Sequence, residues 1–390
     1  MTACATETAP HTDTDTGTET GAVPRAGFTI AADGSYAACL TRTPDGGDGW
    51  YPERWTLGGP EPYTVPLPGN QPEEECSEVL PLPDGRVLIR RRVADRHDIA
   101  LLYPTGPGTG ELLLGSIPGG PGGSGTEVRL LPPPASGLAF ALAYDPVAAR
   151  TTVWLVHDGH DGAPRRLAEI HGRCGGGAWL DRAGGVLALD READGPVKTV
   201  AVDLRGGGAV SPLLQITDDS NDRLLLAEPD SGLLIVRSDA TGEDRIGWGV
   251  LGSRQPMRFA ECLRVPDAVL TPFAAQPGQV LMPESCAVAL RADGPHGTSL
   301  AVWRPGERRA TWLGGPEGWL AGTGMWSPQG VLRLPYACVH CPCGIVEYDA
   351  PAPFPSALAA VPEAVPEPAP EESRGSPVLP LQQAPLAAGA

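Results

Sequence analysis

The segment that decides the fold reads Glu78-Val-Leu-Pro-Leu-Pro-Asp-Gly85, and Arg86-Val-Leu-Ile-Arg-Arg-Arg92 follows it at once. A short apolar run ends at an Asp-Gly pair, and a second apolar run then ends in charged residues. The Asp-Gly pair supplies the positive φ angles that a tight turn between two antiparallel strands needs. The segment therefore predicts a β-hairpin.

The same pattern recurs along the chain at intervals of roughly 50 residues, a period typical of β-propeller blades. In one copy, Ser285 stands where the turn glycine is expected. The paired runs are Phe28–Gly34 with Ser35–Thr41, Glu78–Gly85 with Arg86–Arg92, Val128–Gly137 with Leu138–Tyr144, Ala178–Gly185 with Val186–Asp190, Arg223–Gly232 with Leu233–Ser238, Val280–Ser285 with Cys286–Arg291, and Met325–Gly330 with Val331–Tyr336. A third apolar segment follows each pair, and these segments are Arg54–Gly58, Ile99–Gly106, Val153–Gly159, Thr199–Gly206, Arg245–Gly252, Leu300–Gly306 and Gly344–Ala350.

Seven such units, each with room for a fourth, outer strand, predict an all-β fold, a seven-bladed β-propeller over residues 28–350. One blade cannot bury both of its faces, whereas a ring of blades buries them against neighbours. A two-layer β-sandwich is the alternative, but it does not require near-equal repeats. The chain becomes Pro-rich after Tyr348, so we expect blade seven to lack an outer strand. We expect a segment near residues 22–29 either to supply that edge or to begin blade one.

The two ends of the chain have a different composition from the repeats. Residues 1–27 are rich in Thr, Asp and Glu, and residues 351–390 are dominated by Pro, Ala and Glu. Neither segment has enough apolar surface to offset the entropy of ordering it. We therefore predict disordered N- and C-terminal tails on either side of the propeller.

Two of the turn segments resemble a known repeat. Phe28-Thr-Ile-Ala-Ala-Asp33-Gly34 and Leu82-Pro83-Asp84-Gly85-Arg86 are similar to the WD40-like and TolB-like β-propeller repeats, in which a comparable Pro-Asp-Gly turn joins the two inner strands. The resemblance implies a propeller over about residues 28–350. The repeats lack the recurring Gly-His and Trp-Asp marks of true WD40 repeats, so the resemblance implies no particular function.

Charge and composition exclude several classes of partner. Asp and Glu number 47 against 29 Lys and Arg, which gives a net charge of −18, and a field of this sign repels nucleic acids and anionic membranes. No secretion signal occupies the first twenty residues, and no apolar stretch is long enough to cross a bilayer. We therefore expect a cytoplasmic protein without nucleic-acid or membrane partners, whose nine cysteines are reduced.

The densest group of reactive side chains is Cys338-Val339-His340-Cys341-Pro342-Cys343. Thiolate and imidazole ligands suit zinc, and Cys338 and Cys341 have the spacing of a zinc knuckle. The candidate metal ligands are thus Cys338, His340, Cys341 and Cys343. A closed site needs further ligands from elsewhere, and by propeller convention connections on the same face carry Cys76, Cys174 and Cys262. The opposing interpretation is that these cysteines are small apolar residues buried without function.

Three other motifs are weaker candidates. The run Pro118–Gly125 resembles the oxyanion loop of the proline iminopeptidase branch of α/β-hydrolases, but its preceding histidine and any Gly-x-Ser-x-Gly elbow are missing, which favours a flexible loop. Asp218–Asp222 offers oxygen ligands for calcium without the EF-hand glycine and distal glutamate. His157 and His160 are close in sequence, but histidines in a turn more often face water than bind a metal.

The sequence shows no catalytic set, and this decides the functional expectation. Propellers also occur as the gating half of prolyl oligopeptidases, whose catalytic serine, aspartate and histidine lie on a separate hydrolase domain, and residues 351–390 are too few and too polar for such a domain. We expect a non-enzymatic cytoplasmic scaffold that binds a protein or peptide partner through one face of the ring, with no catalytic residues and no cofactor. The alternative is a zinc sensor, or an enzyme that uses the central channel and the Cys338–Cys343 cluster.

Overall fold

The computed structural model describes residues 23–353 except 44–47, 107, 121–124, 161, 194 and 279–281. These residues form seven antiparallel sheets, six of four strands and one of three. The strands of each sheet are neighbours in the order in which the chain forms them, as in a propeller blade. The seven-bladed propeller is thereby confirmed against the sandwich. The predicted tails lie largely outside the described residues, although the first strand already begins at Arg25.

The first four blades contain sixteen strands within the described residues. Blade one consists of β1 (Arg25–Ile30), β2 (Tyr36–Arg42), β3 (Trp50–Thr56) and β4 (Tyr63–Pro66). Blade two consists of β5 (Glu78–Pro81), β6 (Val87–Val93), β7 (Arg96–Pro104) and β8 (Thr109–Pro118). Blade three consists of β9 (Glu127–Leu130), β10 (Ala139–Asp145), β11 (Arg150–His157) and β12 (Arg165–His171). Blade four consists of β13 (Arg173–Trp179), β14 (Val186–Glu192), β15 (Lys198–Asp203) and β16 (Ala209–Leu214).

The remaining three blades depart more from the repeat. Blade five consists of β17 (Asp222–Glu228), β18 (Leu233–Ser238), β19 (Arg245–Val250) and the short β20 (Arg258–Phe259). Blade six consists of β21 (Val269–Ala275), β22 (Val288–Gly294), β23 (Gly297–Trp303) and β24 (Thr311–Leu313). Blade seven, in the part of the chain that is described, consists of β25 (Met325–Trp326), β26 (Val331–Tyr336) and β27 (Gly344–Asp349). Short 3-10 turns lie at Glu261–Leu263 and Pro283–Ser285.

The turn quoted first shows why the hairpins form. Gly85 has a φ of +84°, and its amide donates to the Leu82 carbonyl at 3.0 Å. The Asp84 carboxylate accepts the Arg86 amide at 2.9 Å. A side chain at 85 would be strained in this conformation and would also approach Tyr36 of the neighbouring blade at 3.1 Å. The glycine therefore serves both the turn and the packing between blades one and two.

The core lies between the blades. The described residues contain seven buried apolar clusters, and each one joins two adjacent blades, as the propeller hypothesis requires. Between blades three and four, for example, Leu142 and Val153 pack against Leu187 and Val200, and all four are at most 3% exposed. Stacking of neighbouring sheets thus removes the apolar faces from water.

The ring closes between blades seven and one without a shared sheet. In the described part of the chain β1 pairs with β2 and β27 pairs with β26, so residues 25–30 begin blade one and do not complete blade seven. Side chains join the two blades instead. The Arg25 guanidinium donates to the Pro342 carbonyl at 3.1 Å, and the Arg333 guanidinium donates to the Leu57 carbonyl at 3.0 Å. We call this interface the closing seam.

The search for membrane-spanning helices gave a negative result for the described residues, none of which form a helix long and apolar enough to cross a bilayer.

Candidate functional site

The predicted metal-ligand cluster forms the connection between β26 and β27, beside the closing seam. The Cys338 amide donates to the Cys341 carbonyl at 2.8 Å, and the Cys341 amide donates to the Cys338 carbonyl at 3.2 Å. These two reciprocal bonds close a tight turn with Val339 and His340 at its exposed tip. The structure therefore places Cys338 directly opposite Cys341 and leaves His340 in solvent.

Cys343 lies in a different environment from the rest of the turn. It packs on the apolar cluster of the closing seam, which includes Cys39 and Trp55 of blade one. Burial, the Glu53 carboxylate and the neighbouring Cys341 raise the pKa of Cys343 to about 12. The Cys343 side chain is therefore a protonated thiol at neutral pH.

The candidate ligands do not form a complete site in the described residues. No group of three or more His, Cys, Asp or Glu side chains is placed there to bind one ion together. The other cysteines are distributed around the ring, with Cys174 in the cluster between blades three and four and Cys262 beside the cluster between blades five and six. The Cys76 thiol donates a hydrogen bond to the Glu74 carboxylate in the connection that leads into blade two. Zinc binding by Cys338, His340, Cys341 and Cys343 remains a prediction.

A buried ion pair lies beneath the closing seam. The Arg25 Nε atom lies 3.3 Å from a Glu53 oxygen, and both side chains are 6% exposed. The same oxygen accepts a hydrogen bond from the Trp55 indole at 2.7 Å, and the guanidinium lies over the Trp55 ring. Burial and the Glu53 carboxylate raise the pKa of the nearby Cys39 to about 12. Cys39 is therefore a protonated thiol beside a paired carboxylate, in the interface between blades seven and one.

The other predicted candidates have structural partners. His157 is buried, whereas His160 is exposed and pairs with Asp158, so the two imidazoles do not face a common ion. Within Asp218–Asp222, the first two carboxylates are exposed and Asp222 is fully buried. The Gly-rich run Pro118–Gly125 falls partly outside the described residues, at 121–124.

Asp222 belongs to an internal polar network at the junction of blades four and five. Lys198, the only lysine of the chain, lies 2.8 Å from the Asp222 carboxylate and also donates to the carbonyls of Thr217 and Ser220. The hydroxyls of Ser220 and Ser238 donate to the other oxygen of Asp222 at 2.9 and 2.6 Å. The Asp222 carboxylate, a candidate calcium ligand in the sequence, is therefore already paired with an ammonium group and hydrogen-bonded by two hydroxyls.

Sequence reasoning did not predict a set of polar contacts that recurs from blade to blade. In blades two, three and four, the second residue of the third strand forms a hydrogen bond with a backbone carbonyl at the entry to the next blade. His97 bonds the Thr126 carbonyl at 3.2 Å, Thr151 donates to the Gly172 carbonyl at 2.8 Å, and Thr199 donates to the Asp222 carbonyl at 2.9 Å. We call these residues the interblade latches. Their shared position in the third strand is a signal that an alignment of blades two to four would have shown.

A cavity of about 150 Å³ lies between blades five and six, beside Trp248, Arg258 and Glu284. Pockets that enclose a drug-sized ligand usually measure about 300 Å³ or more. The cavity is therefore too small to enclose a drug-sized ligand.

Comparison with known proteins finds similarity in structure alone. No protein-family model matches the sequence, and no curated protein matches it. A puromycin hydrolase S511A mutant complexed with PGG superposes with a TM-score of 0.56 at 16% identity, over 83% of this chain and 52% of that one. A puromycin-hydrolyzing peptidase of Mycobacterium tuberculosis gives a TM-score of 0.54 at 16% identity, over 85% and 51%. Prolyl oligopeptidase B of Galerina marginata gives 0.50 at 12% identity, over 81% and 47%.

These similarities correct the functional expectation. At such low identity they establish a shared fold, and the chain spans about half the length of the peptidases that it matches. The three structures described here are peptidases or hydrolases, so the expectation of a non-enzymatic scaffold is wrong. That expectation was drawn from the absence of a recognisable catalytic set in the sequence.

Proposed function

We propose that this chain is the propeller part of a peptidase and acts together with a hydrolase domain that lies outside the described residues. The observation that carries the proposal is the superposition of more than 80% of this chain on about half of each puromycin-hydrolyzing structure. In this role the ring admits peptide-like substrates to the hydrolase domain and excludes folded proteins. The catalytic nucleophile belongs to the other domain, which agrees with the missing Gly-x-Ser-x-Gly elbow of this sequence.

The charge of the chain suggests the class of substrate. A net charge of −18 attracts cations over a distance set by the ionic strength. Puromycin and aminoacyl arylamides, which carry an amine and no carboxylate, are cationic when the amine is protonated. We therefore infer a preference for small substrates that carry an amine, and we expect this preference to weaken as salt is added.

The first test is hydrolysis by the purified chain alone. We expect residues 1–390 to release no product from puromycin or from aminoacyl p-nitroanilides, because the proposed nucleophile is on another domain. Steady hydrolysis by the chain itself would show that its own residues hold the active site and would overturn the proposed division of labour.

The second test is capture of the hydrolase domain. Cells of the source organism are treated with a fluorophosphonate probe, which labels active serine hydrolases, and the tagged propeller is then purified. We expect one labelled hydrolase in an equimolar amount, and its recovery should fall when an excess of untagged propeller competes. Recovery of no labelled hydrolase, or of an amount that competition does not change, would contradict the proposal.

A further inference from the structure

The turn between β26 and β27 holds two cysteines opposite each other. Because the amide and carbonyl of Cys338 bond the carbonyl and amide of Cys341, the two residues form a hydrogen-bonded antiparallel pair. In such pairs the Cα atoms lie about 5.5 Å apart and the side chains share one face. Disulfide bonds join Cα atoms about 4.4 to 6.8 Å apart. The backbone therefore already brings Cys338 and Cys341 to a separation that a disulfide can span.

The environment of this pair differs from that of the other thiols. Cys338 and Cys341 are partly exposed, and Val339 at the tip of their turn is 60% exposed, so that a small reagent can reach them. Cys39, Cys174 and Cys286 are buried in the interfaces between blades. Cys343 packs into the closing seam. Among the cysteines of the described residues, only this pair combines access with a facing partner.

A tyrosine covers one side of the pair. Tyr336 lies opposite Gly344 in the β26–β27 ladder, and a Cβ atom at 344 would approach the Tyr336 ring at 2.3 Å. The glycine thus lets the ring lie across the end of the ladder. The Cys341 thiol itself donates to the Cys343 carbonyl at 3.3 Å. This contact holds the Cys341 side chain at the turn.

We propose that Cys338 and Cys341 are a redox-active pair that forms a reversible intramolecular disulfide by exchange with a small disulfide such as glutathione disulfide. One cysteine, as its thiolate, attacks a sulfur of glutathione disulfide, breaks that bond and releases one glutathione. The second cysteine, as its thiolate, then attacks the protein sulfur of the mixed disulfide and releases the second glutathione. Two protein thiols are oxidised, one glutathione disulfide is reduced to two thiols, and the two protons pass to the leaving thiolates.

The disulfide would act on the closing seam. The residue that follows Cys341 is Pro342, and its carbonyl accepts the hydrogen bond from Arg25 of blade one. A covalent bond between Cys338 and Cys341 restricts the conformations of this turn and holds that carbonyl in place. Oxidation therefore strengthens the contact between blades seven and one, and reduction loosens it.

The test uses the purified full chain with glutathione disulfide, followed by thiol alkylation, digestion with trypsin and mass spectrometry. Trypsin cuts after Arg333 and Arg374, so Cys338, Cys341 and Cys343 fall in one peptide. We expect this peptide to lose two hydrogens and two alkylation sites on oxidation, and to regain them with dithiothreitol. Cys338→Ser and Cys341→Ser should each abolish the change, while the matched control Cys343→Ser should retain it.

Three outcomes would overturn the proposal. A disulfide that persists in Cys338→Ser would assign the bond to Cys341 and Cys343. A glutathione adduct on Cys338 or Cys341 that never resolves would show that the two thiols cannot meet. Stoichiometric zinc that protects all three thiols from glutathione disulfide would show that the cluster is a metal site.

Discussion

At the scale of single residues, the most consequential group is the ion pair of Lys198 and Asp222. Asp222 is fully buried and the Lys198 side chain is 17% exposed, so the pair lies mostly out of water. Removal of one member of a buried pair leaves a charge without compensation, which costs far more than the loss of an exposed pair.

The substitution Lys198→Met should lower the free energy of unfolding by about 3 kcal/mol, because the Asp222 carboxylate stays buried without its cation. Urea denaturation measures the loss. The control is Arg150→Met, which removes an exposed pair with Glu169 and should cost less than about 1 kcal/mol. Equal losses in the two variants would show that the Lys198 network contributes nothing beyond a surface contact.

The ionisation of Asp222 should also make the free energy of unfolding depend on pH. Burial raises its pKa, but hydrogen bonds from Lys198, Ser238 and the Ile216 amide outweigh burial and lower the pKa below the ordinary value. As the pH falls, Asp222 is protonated near pH 3.9 in the unfolded chain, before it is protonated in the folded chain. The contribution of Asp222 to the free energy of unfolding is therefore full at neutral pH and is lost as the pH falls below that value. The gap in urea midpoint between the wild type and Asp222→Asn should therefore narrow as the pH is lowered towards 3. A constant gap would contradict the assignment.

At the scale of elements, the interblade latches determine how one blade is joined to the next. His97 occupies the position that Thr151 and Thr199 fill in the two following blades. Burial and then the Arg90 charge lower the pKa of His97 to about 4. The latch in blade two is therefore a neutral imidazole in the folded protein at physiological pH.

This pKa predicts a second dependence on pH. The unfolded chain protonates His97 near pH 6.5 whereas the folded chain resists until about pH 4, so stability should fall as the pH drops through that interval. The variant His97→Gln should lose this component of the pH dependence, as measured by urea midpoints between pH 7 and 4. His160→Gln, which alters an exposed imidazole, should retain it.

The elements that the sequence predicted correctly are those with a turn glycine. Asp84-Gly85 and Ser231-Gly232 mark the first hairpins of blades two and five, where both glycines have positive φ. Blade six shows the limit. Its first strand is Val269–Ala275, not the predicted Val280–Ser285, whose last three residues form a 3-10 turn. Pro272 interrupts the ladder next to a register shift, and a proline in a run argues against a strand when only the sequence is read.

At the scale of the whole molecule, the closing seam is the interface that no chain connection crosses within the described residues. Every other pair of adjacent blades is joined by the backbone, whereas blades seven and one are held by side chains such as Arg25 and Arg333. Blade seven also has one strand fewer than its neighbours in the part of the chain that is described. Regions with fewer cooperative contacts open first.

Hydrogen exchange should therefore be faster at this seam than on the opposite side of the ring. We expect the amides of β26 and β27 to exchange before those of β14 and β15. Arg25→Met removes the bond to Pro342 and leaves Glu53 without its cation, so exchange in β27 should accelerate while β14 is unchanged. Uniform acceleration around the ring would show that the blades open as one unit.

The propeller architecture was predictable because its repeat can be read from the sequence. The contacts at the closing seam and the function could not be read in this way. The contact between Arg25 and Pro342 joins positions 317 residues apart, and nothing in their local sequence marks them as partners. Cys338 and Cys341 were identified by their spacing. Spacing alone could not distinguish two cysteines that face each other from a set of metal ligands. The functional expectation failed because it rested on the absence of a catalytic motif, and such an absence does not identify a function.

The burial of Lys198 has a practical consequence for labelling chemistry. Since the chain has no other lysine, its only ε-amine is the one that a carboxylate and two carbonyls already occupy. Acylation of Lys198 would occur when the junction of blades four and five opens, and its rate would measure that opening at one defined atom.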